Sequence, residues 1–439
     1  MRFSSKVLAC SGFLVIFLAA ATVSSAQNTS TSRKRIPQDP EAVALNNLLT
    51  QAQAAMDRKD YEAAVQACQQ YLAKKPDDAT VHYDLGYAYT ALQRPADARA
   101  EYEKTISLDP KMASAYQNLG LTLLTTDPAA AVAPLQKAAE LLPQDARAKF
   151  LLGSALELSG KVTPAIEQYQ AAQKRGENDF DVHFALGRAL LSSNQPSAAE
   201  AEFRTALALK TDSAAAYLGL AKSLVAQKKP EAAAAEYSTY LAVQPNDNSA
   251  RLEDAAALVD AGKYDDGLAE LDRAASAGTE SLRALKLRSQ IAFQTKHYDA
   301  ALLALQKAIA LAPRDADLAA QLGHMYLEKK DYPRAVNQLI VAFKMNPASN
   351  DVLGDLITAQ YLNKNYPATL QGLDVLSQRE TLPLGSWFIR ATCYDKLGQQ
   401  LQALDAYKKF LELNKDQNND MYFEASARVR TLTREIKKK

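Results

Sequence analysis

The chain has 439 residues, of which 48% are hydrophobic and 23% are charged, and its formal net charge is +1. This composition is typical of a globular protein, and the balanced charge argues against nucleic acid or an anionic membrane surface as the partner. A single compact domain of this length is unusual, so we expect several domains or a repeat array.

Residues 1–26 are predicted to form a secretory signal peptide. Arg2 and Lys6 precede an apolar run over residues 7–21, and small residues lead to an expected cleavage site after Ala26. An uncleaved anchor is the alternative, although the run is shorter than the roughly 20 apolar residues that span a bilayer. Lipidation at Cys10 is disfavoured because this cysteine precedes most of the run. We find no later stretch with the length of an integral membrane span, and we therefore predict an exported, periplasmic or secreted protein.

Residues 27–44 are predicted to be a flexible leader, since their first part, "QNTSTSRKRIPQDP", is polar and has no hydrophobic period. The glycosylation sequon at Asn28 matters only in a eukaryotic secretory host. After signal removal the chain keeps two cysteines, Cys68 and Cys393. Two cysteines do not make a disulfide framework, even in an oxidising compartment.

From residue 45 onwards the sequence repeats itself. Similar hexapeptides, such as "DLGYAY" and "NLGLTL", carry a glycine in the third place. The spacings between these glycines are 34, 33, 34 and 136 residues, and 136 is four times 34; the glycines are Gly86, Gly120, Gly153, Gly187 and Gly323. A constant period of this length is the signature of a repeat protein.

The second half of each unit also recurs. Its apolar residues are spaced as i, i+3, i+4, i+7, which predicts an amphipathic helix. Several copies end at a proline, which cannot continue a helix; these are Pro76, Pro110, Pro313 and Pro347. One unit is therefore predicted to be a helix, a short turn, a second helix and another turn.

This pattern resembles the tetratricopeptide repeat family. The unit that starts at Ala79 supplies the residue types that the family favours at its positions 4, 7, 8, 11, 20, 24, 27 and 32, namely His82, Leu85, Gly86, Tyr89, Ala98, Tyr102, Thr105 and Pro110. The only tryptophan, Trp387, falls on position 4 of the last unit. Eleven units in this register start near Leu45, Ala79, Ala113, Ala146, Phe180, Ala214, Asn248, Leu282, Ala316, Asn350 and Leu384.

The resemblance covers residues 45–417 and implies an all-α fold. The family forms a right-handed α-solenoid superhelix, here of about eleven helix pairs, because each unit buries its apolar face only by stacking on its neighbours. Residues 418–439 are predicted to form a capping helix at the open end, with Tyr422, Ala425, Val429, Leu432 and Ile436 on its apolar side.

Three departures from the pattern carry predictions. The third unit is one residue short in its turn, where Asp127 is expected to cap the second helix and Pro128 to occupy its first position. Gly176 and Gly278 are expected to end helices that lack the closing proline. Gly267 takes the place of the alanine at position 20 of the seventh unit, so we expect this helix pair to be the least rigid.

The sequence gives no indication of catalysis. Of the four histidines, no two are spaced for zinc binding on one helix, and His82 and His183 fall on core position 4, where we expect simple packing. We find no glycine-rich phosphate loop and no nucleophile elbow. The prediction is a protein that is not an enzyme and needs no cofactor or metal.

The family resemblance implies that positions 5 and 9 of each unit face the inner surface of the superhelix. Large apolar side chains with a few cations at these positions predict a groove for a partner segment, formed by Tyr83, Tyr87, Phe150, Phe184, Arg188, Leu218 and Lys222. The alternative is that these side chains merely pack against a neighbouring helix. The chaperone-binding carboxylate clamp of the family is rejected, because Lys286 and Gln290 suit it but Asp351 and Asp355 have the wrong charge.

We therefore predict a non-enzymatic scaffold or adaptor that binds other proteins in a cell envelope, most consistent with a bacterial one. The alternative is a regulatory or carrier subunit of an envelope enzyme system, for example in glycan assembly, whose activity lies in a partner. A third class is a purely structural spacer.

Overall fold

A computed structural model describes residues 39–175, 179–276, 280–416 and 418–437. These residues form 23 α-helices and no β-strand. The first helices of eleven successive pairs are α1 (Pro40–Asp57), α3 (Ala79–Ala91), α5 (Ala113–Leu124), α7 (Ala146–Leu158), α9 (Phe180–Ser192), α11 (Ala214–Ala226), α13 (Asn248–Asp260), α15 (Leu282–Gln294), α17 (Ala316–Glu328), α19 (Asn350–Leu362) and α21 (Leu384–Lys396). Their partners are α2 (Tyr61–Leu72), α4 (Pro95–Leu108), α6 (Pro128–Leu141), α8 (Val162–Gln173), α10 (Pro196–Leu209), α12 (Pro230–Val243), α14 (Tyr264–Ser276), α16 (Tyr298–Leu311), α18 (Tyr332–Met345), α20 (Tyr366–Arg379) and α22 (Gln400–Leu413), and α23 (Asp420–Lys437) follows. The predicted all-α class of paired helices is confirmed.

Ten of the first helices begin at the residue where the 34-residue period places the start of a unit. The exception is α1, which begins at Pro40, so residues 40–44 of the predicted leader are helical. The reason is local, because the Asp39 side chain accepts a hydrogen bond from the Glu41 amide and Pro40 suits the first turn. The signal peptide, the rest of the leader, Gly176 and Gly278 lie outside the described residues.

The chain divides into two compact units, residues 1–108 and 109–439. The described part of the first unit holds α1 to α4, and the second holds α5 to α23. Within each unit, the second helix of a pair packs against the first helix of the next pair. In the described ranges, no helix combines the length and the apolar character that a bilayer crossing requires.

Most of the first helices share one capping device; α5 and α21 lack it. The residue just before the helix carries an oxygen that accepts a hydrogen bond from a backbone amide of the first turn, which satisfies a donor that the helix itself leaves open. Asp78, Asp145, Asp179, Asp247 and Asp315 cap in this way, as do Ser213, Ser281 and Ser349. Repeated capping at the same unit position explains why the helix starts follow the period so closely.

Most first helices end at a residue in the left-handed conformation. In α1, the Asp60 amide donates to the Ala55 carbonyl at 2.9 Å across Lys59, whose φ is 60°. This is the helix-stop geometry that glycine usually provides. Three of the described pairs use a glycine, and seven use another residue, namely Lys59, Gln93, Asn194, Lys228, Lys296, Lys330 and Lys364.

The shortened third unit behaves as its sequence predicts. Asp127 caps α6 by accepting a hydrogen bond from the Ala130 amide at 3.1 Å, and Pro128 stands in the first turn. The Asp127 amide itself donates to the Leu123 carbonyl at 2.7 Å, so the turn closes without a left-handed residue. One residue is lost from the turn while both helices keep their length.

The core alternates small and large side chains between the helices of a pair. A Cβ atom built on Gly120 of α5 would lie 2.3 Å from Cγ of Leu135 on α6, and one on Gly153 of α7 would lie 2.7 Å from the Tyr169 ring on α8. Leu135 and Tyr169 are fully buried. The glycines therefore allow the close approach that lets one large side chain fill the space between two helices.

The seventh pair, α13 and α14, departs from this packing. Asp254 occupies the position of the core leucine, is only 3% exposed, and its Oδ1 has no hydrogen-bond partner among the described residues. Around it, Arg251 Nη1 lies 2.7 Å from Glu270 Oε2, and Arg273 also pairs with Glu270. Gly267 of α14 lies beside Ala255 and Val259 of α13 and has no side chain to pack against them. This pair therefore holds a polar cluster where its neighbours hold apolar side chains.

Helix α23 covers the end of the array. Ala425 and Leu432 are fully buried against α21 and α22, and Val429 and Ile436 pack around them. Arg428 is tied to Asp395 of α21 by two hydrogen bonds of 2.7 Å. Four of the five side chains on its apolar side therefore pack against the preceding pair.

Candidate functional site

A pocket of about 540 Å³ opens along three successive first helices of the second compact unit, α15, α17 and α19. Most of the surface area that lines it is apolar. The apolar lining residues are Phe293 from α15, Ala320 and Met325 from α17, and Val352 from α19. The polar lining residues are Lys286, Ser289, Gln290, Gln321, His324, Asp351 and Asp355. We take this pocket as the candidate functional site.

The pocket coincides with small residues at two successive inner-face positions, of which Ala320 lines it. At position 5, where other units carry Phe150, Phe184 or Phe388, the ninth unit has Ala320 and the tenth has Gly354. A Cβ built on Gly354 meets nothing within 4 Å. The space that an aromatic ring fills elsewhere is therefore open here.

The cation on the α15 side of the pocket is already neutralised. Lys286 Nζ donates to Oδ2 of Asp315 at 2.9 Å. This hydrogen bond is the main reason why the pKa of Asp315 is lowered, and the amides of Asp317 and Leu318 act in the same direction. Lys286 is thereby held by the residue that caps α17.

The α19 side of the pocket is acidic. Asp355 Oδ2 lies 3.1 Å from Nδ1 of His324, and Glu328 Oε1 lies 3.9 Å from Nε2 of the same ring. The hydrogen bond to Asp355 raises the pKa of His324, an effect that partial burial opposes and Glu328 reinforces. Asp351, one turn before Asp355 on α19, is exposed and forms no ion pair or side-chain hydrogen bond with another described residue.

The predicted groove residues that lie in the second compact unit are half-buried or exposed. The ring of Phe150 lies 5.8 Å from that of Tyr169, and the ring of Phe184 lies 5.9 Å from that of Phe203. Leu218 is half-buried and Lys222 is exposed. Each phenylalanine ring therefore packs with one side against the core, as in the packing alternative. Part of each ring is still exposed to solvent.

Arg188 is less available than its exposure suggests. It donates to both carboxylate oxygens of Glu157 at 2.8 Å, and Tyr169 donates to the same carboxylate at 2.8 Å. The hydrogen bond to Glu157 raises the pKa of Arg188 further. The guanidinium therefore joins α9 to α7, and its charge is largely compensated.

Tyr83 and Tyr87 belong to the first compact unit and are half-buried on α3. The ring of Tyr83 lies 5.9 Å from that of Tyr102, and the ring of Tyr87 lies 6.4 Å from that of Tyr61. Burial raises the pKa of Tyr87, with the neighbouring tyrosines Tyr61 and Tyr83 contributing. Each ring touches a neighbouring helix and leaves an edge exposed.

His82 and His183 make polar contacts within the fold in addition to packing. Nδ1 of each ring lies 2.6 Å from a glutamate on the following helix, Glu101 for His82 and Glu202 for His183. Arg251 and Glu270 repeat the arrangement in the seventh pair. In the sequence, each of these basic residues stands at position 4 and is followed 19 residues later by a glutamate. This spacing could have predicted the three pairs.

The described residues contain no group of three or more His, Cys, Asp or Glu side chains arranged to hold a metal ion. Cys68 and Cys393 are both buried, free thiols. Burial raises the pKa of Cys68 to about 12 and that of Cys393 to about 11. Thiols in this state are poor nucleophiles.

Solved structures similar to this chain include three that each match less than half of it. The crystal structure of MamA is 24% identical, with a TM-score of 0.37, over 39% of this chain and 93% of that one. YrrB, described as a TPR protein with an unusual peptide-binding site, is 20% identical, with a TM-score of 0.40, over 43% and 97% of the two chains. PilF of Pseudomonas aeruginosa is 24% identical, with a TM-score of 0.38, over 47% and 93%. Comparison with curated protein sequences finds no match.

Family models match more than half of the chain. One model, described as tetratricopeptide repeat, matches residues 49–113, 125–180, 184–250 and 252–316, and a second model of the same description matches residues 384–417. Neither model describes an enzyme. The paired helices, the 34-residue period and these matches agree, and the chain belongs to the tetratricopeptide repeat family.

Proposed function

We propose that this protein is a non-enzymatic scaffold that binds a segment of a partner protein in the pocket between α15, α17 and α19. The observation that carries the proposal is the open, mainly apolar space of about 540 Å³ on three successive first helices. Pockets of this size that combine apolar walls with a few polar groups are typical binding sites. Repeat arrays such as this one characteristically present such surfaces to partner proteins.

The half-buried side chains of the earlier units extend the proposed binding surface. Phe150, Phe184 and Leu218 present apolar area on α7, α9 and α11, and Lys222 adds an exposed cation. Large rings that are held on one side by the core lose little entropy on binding, which favours them as anchors. Tyr83 and Tyr87 offer a separate surface of the same kind on the first compact unit.

Filling the pocket tests the proposed function. Peptides of twelve residues are selected from a random library on the full chain, and their affinities are measured for the wild type, Ala320→Phe and Ala215→Phe. Ala320→Phe places in the pocket the ring type that other units carry, whereas Ala215 is exposed on α11 and serves as the matched control. We expect a loss of at least tenfold for Ala320→Phe alone. Equal affinities for all three proteins would mean that partners dock elsewhere.

We further propose that the protein works in a cell envelope after export. The proposal is supported by the charged start, the apolar run over residues 7–21 and the small residues before Gln27. N-terminal sequencing of the protein from its native host is expected to begin at Gln27. Recovery of a cytosolic protein that still begins at Met1 would contradict both export and the envelope setting.

A further inference from the structure

We infer that the pocket between α15, α17 and α19 accepts an arginine or lysine side chain of the partner segment, in competition with His324. The inference rests on the proposed function and names the chemistry of the occupant. The aliphatic stem of that side chain would lie along the apolar wall, and its cationic head would reach the carboxylates of α19. A long side chain with an apolar stem and a charged head fits a site of this mixed character.

Charge complementarity selects a cation. Asp351 and Asp355 are one turn apart on α19, so their carboxylates share a face about 5–6 Å apart at Cβ. The lysine of the pocket, Lys286, is already paired with Asp315. With Lys286 compensated, Asp351 and Asp355 face only the titratable His324, so the lining is acidic when that ring is neutral. A guanidinium can bind carboxylates through two hydrogen bonds at once.

The apolar wall fits the stem of the same side chain. Val352 and Met325 are buried in the floor, and the half-buried Phe293 offers its ring beside them. The ring of Phe293 lies 5.9 Å from that of His324, which places an aromatic surface next to the acidic side. An aromatic ring near a cation adds attraction to its apolar contact.

The lining includes one serine hydroxyl that is available for a hydrogen bond. Ser289 is 4% exposed and forms no hydrogen bond with another described residue. A polar group of a bound segment can therefore form a hydrogen bond with this hydroxyl. The backbone of an extended segment carries such donors and acceptors at every residue.

His324 makes the site sensitive to pH. The charged groups that face it are Asp355 and Asp351 from α19, Glu328 from its own helix and Lys286 from α15. When protonated, His324 pairs with Asp355 and occupies the acceptor that the partner's cation needs. Because the hydrogen bond to Asp355 raises the pKa of His324, this competition persists to a higher pH than a free histidine would allow, and it fades as the pH rises further.

The experiment uses the pocket-dependent peptides, meaning those that lose affinity on Ala320→Phe. Each arginine in them is replaced by citrulline and each lysine by norleucine, which remove the charge and nearly keep the shape. We expect one of these replacements to lower affinity for the wild type at least tenfold, and to have less than a threefold effect in an Asp351→Asn, Asp355→Asn double variant. Asp317→Asn is the matched control, because Asp317 holds the same unit position on α17 outside the pocket and is exposed.

The pH arm compares pH 6 with pH 8. The affinity of the arginine peptide is expected to rise several-fold between them for the wild type and to change less for His324→Gln. Pocket-dependent peptides without basic residues, an equal citrulline effect in the double variant, or an unchanged pH dependence in His324→Gln would each overturn the inference while leaving the proposed function intact. A library that yields no pocket-dependent peptide would instead refute the proposed function.

Discussion

Gly267 of α14 and Gly120 of α5 are both helical glycines, but their surroundings differ. A Cβ on Gly267 would meet Val259 Cγ2 at 3.4 Å, the Ala255 carbonyl oxygen at 3.5 Å and Ile291 Cδ1 at 3.6 Å, all ordinary contacts. Gly267→Ala is therefore expected to raise the free energy of unfolding by about 0.5–1 kcal/mol, since alanine restricts the unfolded chain and favours the helix. Urea denaturation measures the change.

The matched control is Gly120→Ala. There the added methyl would lie 2.3 Å from Cγ of Leu135, so the helices must separate or Leu135 must move. Overpacking of this kind is expected to lower the free energy of unfolding by about 1–3 kcal/mol. If both substitutions shifted stability in the same direction, the space around Gly267 would not be what the structure shows.

Asp254 makes the seventh pair sensitive to pH. Burial, reinforced by Glu270, raises its pKa to about 7, although Arg251 and Arg273 oppose the shift. The folded state then holds a proton that the unfolded state has lost, so this residue makes the free energy of unfolding fall as the pH rises from about 4 to about 7. Asp254→Leu is expected to stabilise the protein at pH 8 by about 1–3 kcal/mol, because a buried acceptor without a partner is removed.

The gain from Asp254→Leu is expected to shrink as the pH falls from about 7 toward 4, because the folded wild type then holds its proton while the unfolded chain does not. Asp260→Asn, on the exposed side of α13, is the control and is expected to leave the pH dependence unchanged. Thermal unfolding across this pH range distinguishes the two variants. A constant difference between Asp254→Leu and the wild type at every pH would show that the carboxyl is not titrating in the core.

At the level of single residues, the sequence allowed the apolar positions to be predicted better than the polar ones. The repeat pattern placed Leu85, Tyr89 and Tyr102 at core positions of their unit, and all three are buried. It did not identify the pocket, although Ala320 and Gly354 were visible as small residues in a column of large ones. In the sequence, Asp351 and Asp355 were considered only as residues whose charge excludes the carboxylate clamp. In the structure, their carboxylates make the α19 side of the pocket acidic.

Among the helices, α23 offers a direct test of nearest-neighbour stability. Ending the chain at residue 416 would expose Phe410 and Tyr407, which are buried beside α23, and would release Asp395 from Arg428. We expect faster amide hydrogen exchange in α21 and α22, while α9 to α12 of the same compact unit keep their protection. Equal loss of protection along the whole unit would contradict this expectation.

Most starts of the first helices followed from the sequence because a local capping residue stands at a fixed unit position, as Asp145 and Asp315 illustrate. The start of α1 did not follow, since the first unit has no preceding repeat to define its register and Asp39 caps the helix five residues early. The seventh pair was singled out for Gly267, but the buried Asp254 beside it was not foreseen because its position predicts leucine.

For the whole chain, the two compact units predict separate unfolding transitions. Cys68 lies in the first unit and Cys393 in the second, and each thiol is buried. Variants with one thiol, Cys393→Ala or Cys68→Ala, report each unit through the rate of thiol labelling in urea. We expect two different midpoints, because repeat arrays lose cooperativity over distance. A single shared midpoint and slope would mean that the chain unfolds as one body.

The residues in the left-handed conformation at the ends of the first helices are candidate sites for raising the thermal stability of this chain. Five of the seven that lack glycine are exposed lysines, and glycine there would relieve backbone strain of about 1 kcal/mol per site. Each lysine, however, places a positive charge at the negative end of a helix. Exchanging all five would strip five positive charges from a chain whose formal net charge is +1 and move its isoelectric point well into the acidic range. Heat resistance gained in this way would come with altered solubility and altered electrostatic attraction to partners.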